Sequence, residues 1–187
     1  NIKSGQGTNS VMADFIGKNP TSLYVIEKSQ YGCVGDTVSL PVYIDRPSLS
    51  MEYVTVGPQN EWVNEIYWSL TSAPRYNSIF EIYRRKAYTS DSFKLVGTAE
   101  GSIRSFVDDK VDVNNTNYEY YVKGYDLCGN ALQTNIHTTI LLKGNKPRPY
   151  DDSIYWTQYL GWPAGVDAYN IMRKFPEDPA YLNYDAT

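Results

Sequence analysis

Histidine is almost missing from this sequence: His137 stands alone among 187 residues, beside only three methionines and two cysteines. With one imidazole and no Ser or Cys in a recognisable nucleophile motif, a hydrolytic triad has nothing to assemble from. His137 itself reads as a surface residue of a strand. Cys33 and Cys128 are too few for a disulfide framework, and neither sits in a Cys-x-x-Cys or Cys/His spacing that could hold a metal. A bridge between them and two small buried side chains are the alternatives, and the redox compartment stays open. Runs of like charge are absent too. The net charge of −4 comes from 17 basic and 21 acidic residues spread along the chain, which removes nucleic acid from the expected partners. No apolar stretch approaches the roughly 18–20 residues of a transmembrane helix, and the first residues lack a basic segment followed by an apolar one. On this reading an export signal would lie outside the chain.

What the sequence has in quantity is tyrosine, 18 residues, set among Val, Ile and Thr in short runs. These side chains fit a pleated, half-buried surface, so the fold class read from the sequence is all-β. Strand-like runs at 65–70, 79–85, 93–98, 105–107, 118–125 and 137–142 are separated by turn signals such as Ala73-Pro74, Glu100-Gly101 and Gly129-Asn130. That spacing is the pattern of a β-sandwich. Along Tyr118–Tyr125 the side chains of Tyr118, Tyr120, Val122 and Gly124 share the face expected to be core. Two further strands are expected at 22–28 and 37–44.

The sequence also repeats. Glu65-Ile66-Tyr67-Trp68-Ser69 returns as Ser153-Ile154-Tyr155-Trp156-Thr157 at an offset of 88, and Phe80–Arg85 returns as Tyr169–Lys174 at an offset of 89. A period near 90 is close to a whole seven-stranded sandwich of about 100 residues, so the repeating unit is a domain. Trp68 and Trp156 take equivalent core positions in this scheme, and the expected aromatic core is Trp68, Tyr83, Phe106 and Tyr120 with Val122. Linkers are expected at Asp45–Ser48 and at Lys143–Pro149, where prolines break the pattern. Both ends then read as parts of domains.

Tyr31-Gly32-Cys33-Val34-Gly35-Asp36-Thr37-Val38-Ser39 resembles the closing hairpin of PKD-type immunoglobulin-like domains in exported proteins of the Bacteroidota. Trp68–Leu142 resembles a fibronectin type III domain, with Phe80–Arg84 in its C strand, Ser105–Asp108 in its E strand, Tyr118–Val122 in its F strand and Asp126–Asn130 in the following turn. Ile154–Val166, with Trp156 and Trp162, resembles the opening of a second. The resemblance implies tandem immunoglobulin-like and fibronectin type III-like sandwiches: a PKD-like part at 1–47, a fibronectin-like domain at 48–144, then a linker and part of another at 145–187. This order is similar to the region upstream of the sorting domain in cargo of the type IX secretion system. It implies display at the cell surface on the outer membrane, partnership with secretion or surface-anchoring proteins, and a role as a stalk or adhesin rather than an enzyme. The accessory end of a secreted enzyme, with its catalytic domain outside this chain, is a further reading.

Four groups of residues carry candidate sites. Asp108, Asp109 and Asp112, with Asn114, crowd one loop and are candidate calcium ligands, although the spacing is not that of an EF-hand; Asp151 and Asp152 share this character. Tyr159 and Trp162, near Tyr155 and Tyr169, could stack on the apolar face of a sugar, which makes surface glycans candidate partners. Asn114-Asn115-Thr116 fits an N-glycosylation acceptor. Thr37 and Ser153 sit in Asp-Ser/Thr-aliphatic triplets that look like the O-glycosylation pattern of the Bacteroidota.

Overall fold

A computed structural model describes residues 2–13, 21–42, 47–71, 79–126, 129–148, 151–173, 177 and 182–183. The chain is all-β, and no helix occurs among the described residues. It divides into two compact units, Asn1–Arg46 and Pro47–Thr187.

The first unit holds two antiparallel pairs: β1 (Ile2–Ser4) with β2 (Met12–Ala13), and β3 (Thr21–Val25) with β4 (Val38–Val42). In the second pair Leu23 faces Leu40 and Val25 faces Val38, so the apolar residues share one side of the ribbon. The turn beyond β3 is tied by Ser29, whose N–H donates to the Cys33 carbonyl at 2.9 Å and whose Oγ accepts from the Cys33 N–H at 3.1 Å. Cys33 is exposed with a free thiol, which corrects its reading as a small buried side chain. Cys128, the Ala73-Pro74 turn and the first half of the expected first linker, Asp45 and Arg46, lie outside the described residues.

The second unit contains β5 (Leu49–Val56), β6 (Asn64–Leu70), β7 (Phe80–Lys86), β8 (Lys94–Ala99), β9 (Ser105–Asp108), β10 (Tyr118–Tyr125), β11 (Ala131–Gln133), β12 (His137–Thr138), β13 (Leu142–Arg148), β14 (Asp151–Trp156), β15 (Met172–Arg173) and β16 (Leu182–Asn183). One sheet runs β5-β6-β9. The other runs β11-β10-β7-β8, with β12 also on β10. Every pairing is antiparallel.

The two sheets share one core because alternate residues of each strand turn inward. Met51 and Val54 of β5, Ile66 and Trp68 of β6, Phe80 and Ile82 of β7, and Tyr118, Tyr120 and Val122 of β10 are all buried in one cluster, with Trp68 edge-on to Phe80 at 5.7 Å between ring centres. Where β8 passes β9 the Phe106 ring lies over Gly97, and a Cβ there would overlap it. The inward face of β10 is the one expected. Tyr83 is not core: it stands on the outer face, stacked on its cross-strand partner Tyr121 at 4.8 Å, because period-two alternation sends Phe80 and Ile82 inward instead.

The expected linker at 143–149 is largely a strand. β13 pairs with β14, Leu142 opposite Trp156 and Gly144 opposite Ile154, much as β5 pairs with β6 and sets Met51 opposite Trp68. The two tryptophans of the repeat therefore occupy matching places in two hairpins, but not matching environments. Trp68 is 1 % exposed, while Trp156 is half-buried and lines an open apolar groove of about 400 Å³ with Leu142, Ile154, Tyr169, Ile171 and Met172.

Candidate functional site

Strand β5 is the edge of its sheet, and an edge strand presents unpaired backbone groups. Its register with β6 shifts between Met51 and Tyr53, a bulge at Glu52. Around this bulge three side chains take up the free backbone groups. The Met51 N–H donates to Asn135 Oδ1 at 3.2 Å, the Val54 N–H donates to the Tyr159 hydroxyl at 3.1 Å, and the Glu52 carbonyl accepts from Trp162 Nε1 at 2.6 Å. Asn135 comes from the chain between β11 and β12; Tyr159 and Trp162 come from the segment after β14.

His137 sits at the centre of this arrangement, fully buried. Its Nδ1 is 2.6 Å from the Tyr159 hydroxyl and its Nε2 is 2.7 Å from Asn135 Nδ2. Donors and acceptors fix the tautomer. Asn135 Oδ1 accepts from Met51, and Asn135 Nδ2 donates to the Gly161 carbonyl at 2.7 Å, so Nδ2 is the amide's NH₂ and Nε2 facing it must accept. The neutral ring then carries its proton on Nδ1 and donates it to Tyr159. Burial alone lowers the His137 pKa from 6.5 to about 4, since the charged form would lose its hydration. Burial likewise pushes the Tyr159 hydroxyl up to about 12, against a small opposing effect of the Val54 N–H.

The same segment is held by further bonds. The Thr138 N–H donates to the Leu160 carbonyl at 2.8 Å, and the Tyr159 N–H donates to the Tyr169 hydroxyl at 2.9 Å. Tyr159 packs on Trp162 with ring centres 4.4 Å apart, and both rings stand near-perpendicular to the imidazole. Gly161 passes so close that a Cβ would overlap the His137 ring, and its φ of +139° suits glycine.

His137 is thus an interior joint and not a surface residue. Tyr159 is 7 % exposed with its hydroxyl and ring engaged, so it offers no face to a sugar. Trp162 keeps 44 % of its surface open, but Tyr159 covers one side and Glu52 takes its N–H. Repetition of IYW marked Trp68 and Trp156 as equivalent positions; the joint left no such mark, because its members lie as far apart in sequence as Glu52 and Trp162.

The proposed calcium ligands do not converge. The Asp108 carboxylate is buried and holds Arg84 at 2.6 Å, the Tyr120 hydroxyl at 3.1 Å and the Lys110 N–H at 3.1 Å. Asp112 accepts from Asn115 Nδ2, and Asp109 is exposed. Among the described residues no group of three His, Cys, Asp or Glu could hold a metal ion. Arginine occupies the position a cation would need. The Asp151 and Asp152 side chains lie outside the described residues. Thr37, Asn114 and Ser153 are all exposed, as a modification site requires.

No family model matches the chain, and no curated protein matches it. Among solved structures it is similar to pectate lyase PelI from Erwinia chrysanthemi in complex with tetragalacturonic acid, at 20 % identity and a TM-score of 0.39 over 50 % of this chain and 28 % of that one. It is similar to pectate lyase Pel3 from Pectobacterium carotovorum at 16 % identity and a TM-score of 0.39, over 57 % of this chain and 28 % of that one. The chain spans little more than a quarter of either lyase, and likeness at this level carries no inference about activity.

Proposed function

We propose that this chain is a non-enzymatic stalk segment of an exported, multi-domain cell-surface protein, built from serial β-modules of the PKD-like and fibronectin type III-like kinds. The observation that carries the reading is the His137 joint. A spacer transmits position only if its modules are coupled, and here the segment between the hairpin β13–β14 and residue 169 is fastened by hydrogen bonds and stacked rings to the edge of the preceding sheets. The chain's one imidazole is used in that coupling, buried and without a charged partner among the described residues.

Two features support the fibronectin-like assignment of residues from 47 onward. The strands pair as first, second and fifth against fourth, third, sixth and seventh, counting from β5 with β11 and β12 as the seventh. Tyr118, at the start of β10, accepts at its hydroxyl from the Asp112 N–H at 3.0 Å, six residues upstream, which is the geometry of a tyrosine corner. Immunolabelling of intact source cells with an antibody against residues 47–187 tests the proposal. Surface label is expected; label that appears only after permeabilisation, or release of soluble products from a polysaccharide by the purified chain, would overturn it.

A further inference from the structure

We propose that the His137 joint is an acid-released latch: protonation of the buried imidazole frees the segment from Thr157 to Tyr169 from the edge of β5 while the two sheets stay folded. Protonation adds a hydrogen at Nε2, where Asn135 already presents its NH₂ at 2.7 Å, so two donors meet and one must leave. The amide cannot turn to offer its oxygen without losing both the Met51 N–H and the Gly161 carbonyl. Displacement of Asn135 and Tyr159 would in turn uncover the Met51 and Val54 N–H groups.

Among the described residues no nearby charge offsets this. Tyr159 is the titratable group facing His137 from the latch segment. From β10, the cross-strand neighbour Tyr120 sends its hydroxyl away to Asp108 and Asn64, and Glu119 is paired with Arg85. From β5, Glu52 contributes its carbonyl to Trp162, and its side chain is exposed. Burial lowers the imidazole's pKa, and the Asn135 NH₂ at Nε2 offers the added proton no acceptor. The inward residues of β6, β7 and β10 include Ile66, Trp68, Phe80, Ile82, Tyr118, Tyr120 and Val122, and the buried Asp108 carboxylate of β9 is held by Arg84 away from the joint.

The chain's single histidine gives one imidazole signal, so nitrogen-15 NMR of the whole chain reads its tautomer and its titration directly. The expected result is an Nδ1-protonated neutral ring that titrates well below 6.5. Hydrogen exchange, normalised for the intrinsic rate at each pH, follows opening. With the pKa at about 4 when closed and 6.5 when open, the opening equilibrium at Met51, Val54 and Thr138 should rise about a hundredfold from pH 7 to pH 4. The amides of β7 and β10 that pair with each other open only with the sheets and should stay far more protected than these three at every pH. Tyr159→Phe, which keeps the ring and removes the hydroxyl, should loosen Val54 and Met51 already at pH 7 and reduce the further change in acid. Titration of His137 near 6.5, or equal protection of the β5, β7 and β10 amides at pH 4 as a single cooperative unfolding would give, would overturn the latch. So would unchanged Val54 protection in a folded Tyr159→Phe chain.

Discussion

Trp68 and Gly161 show how differently single residues matter here. Trp68 fills the centre of the core, yet its Nε1 is buried with no hydrogen-bond partner among the described residues. Its contribution is therefore volume and ring contact, not polar bonding. Trp68→Ala should cost on the order of 3–5 kcal/mol in urea unfolding, and Trp68→Phe distinctly less, because the smaller ring also removes an unpaired donor. Equal losses would mean the indole N–H is bonded after all. Gly161 contributes the opposite way, by having no side chain where the imidazole lies. Gly161→Ala should displace the latch segment and expose Trp162, seen as a red-shifted fluorescence component, with Trp68 still buried. At the same scale, two of the tyrosines have a partner two residues before them. In Glu65-x-Tyr67 and Glu81-x-Tyr83 the two side chains share the outer face of a strand, and each tyrosine hydroxyl donates to its glutamate. That hydrogen bond raises both phenol pKa values, Tyr67 to about 12.

At the scale of elements, the tyrosine corner fixes how the chain enters β10. The Tyr118 ring is buried, its hydroxyl holds the Asp112 N–H, and Arg84 lies 5.2 Å from the ring centre while gripping Asp108. Tyr118→Phe should keep the packing and lose that bond, costing about 1–2 kcal/mol by chemical denaturation; a loss below about 0.3 kcal/mol would remove the corner from the account. Elements of this kind were legible in proportion to their periodicity. β6, β7, β8, β9 and β10 fall within a residue or so of the expected strands, since each alternates apolar and polar side chains over several residues. β5 was missed because its alternation breaks at the Glu52 bulge, and β13 because Lys146 and Pro147 read as a linker. A two-stranded ribbon tolerates a proline that the interior of a sheet would reject. The Asp108 cluster was misread for a related reason: sequence spacing showed three carboxylates but not that Arg84, from another strand, lies against one of them.

For the whole molecule the question is where the second unit's stability ends along the chain. The repeat places a domain end near residue 144, but the core cluster includes Tyr159, and the edge of β5 is sealed by Tyr159 and Trp162. A chain cut to residues 48–144 would keep both sheets, lose a buried aromatic side chain and leave an open, bulged edge strand. It should be less stable than residues 47–187 by at least about 3 kcal/mol in urea, and more prone to associate through β5. His137 would then lie open to water and titrate near its ordinary 6.5, which removes its share of the pH dependence. In the longer chain the folded pKa is depressed, so between pH 6.5 and about 4 the unfolded state binds the extra proton. Stability is therefore full above 6.5 and falls, by about 2–3 kcal/mol, as the pH drops to 4. Urea unfolding of both chains at pH 7 and pH 4 separates the alternatives. If the short chain matches the long one in stability and in pH slope, the boundary lies where the repeat put it, and the segment from 157 to 169 is a passive tail.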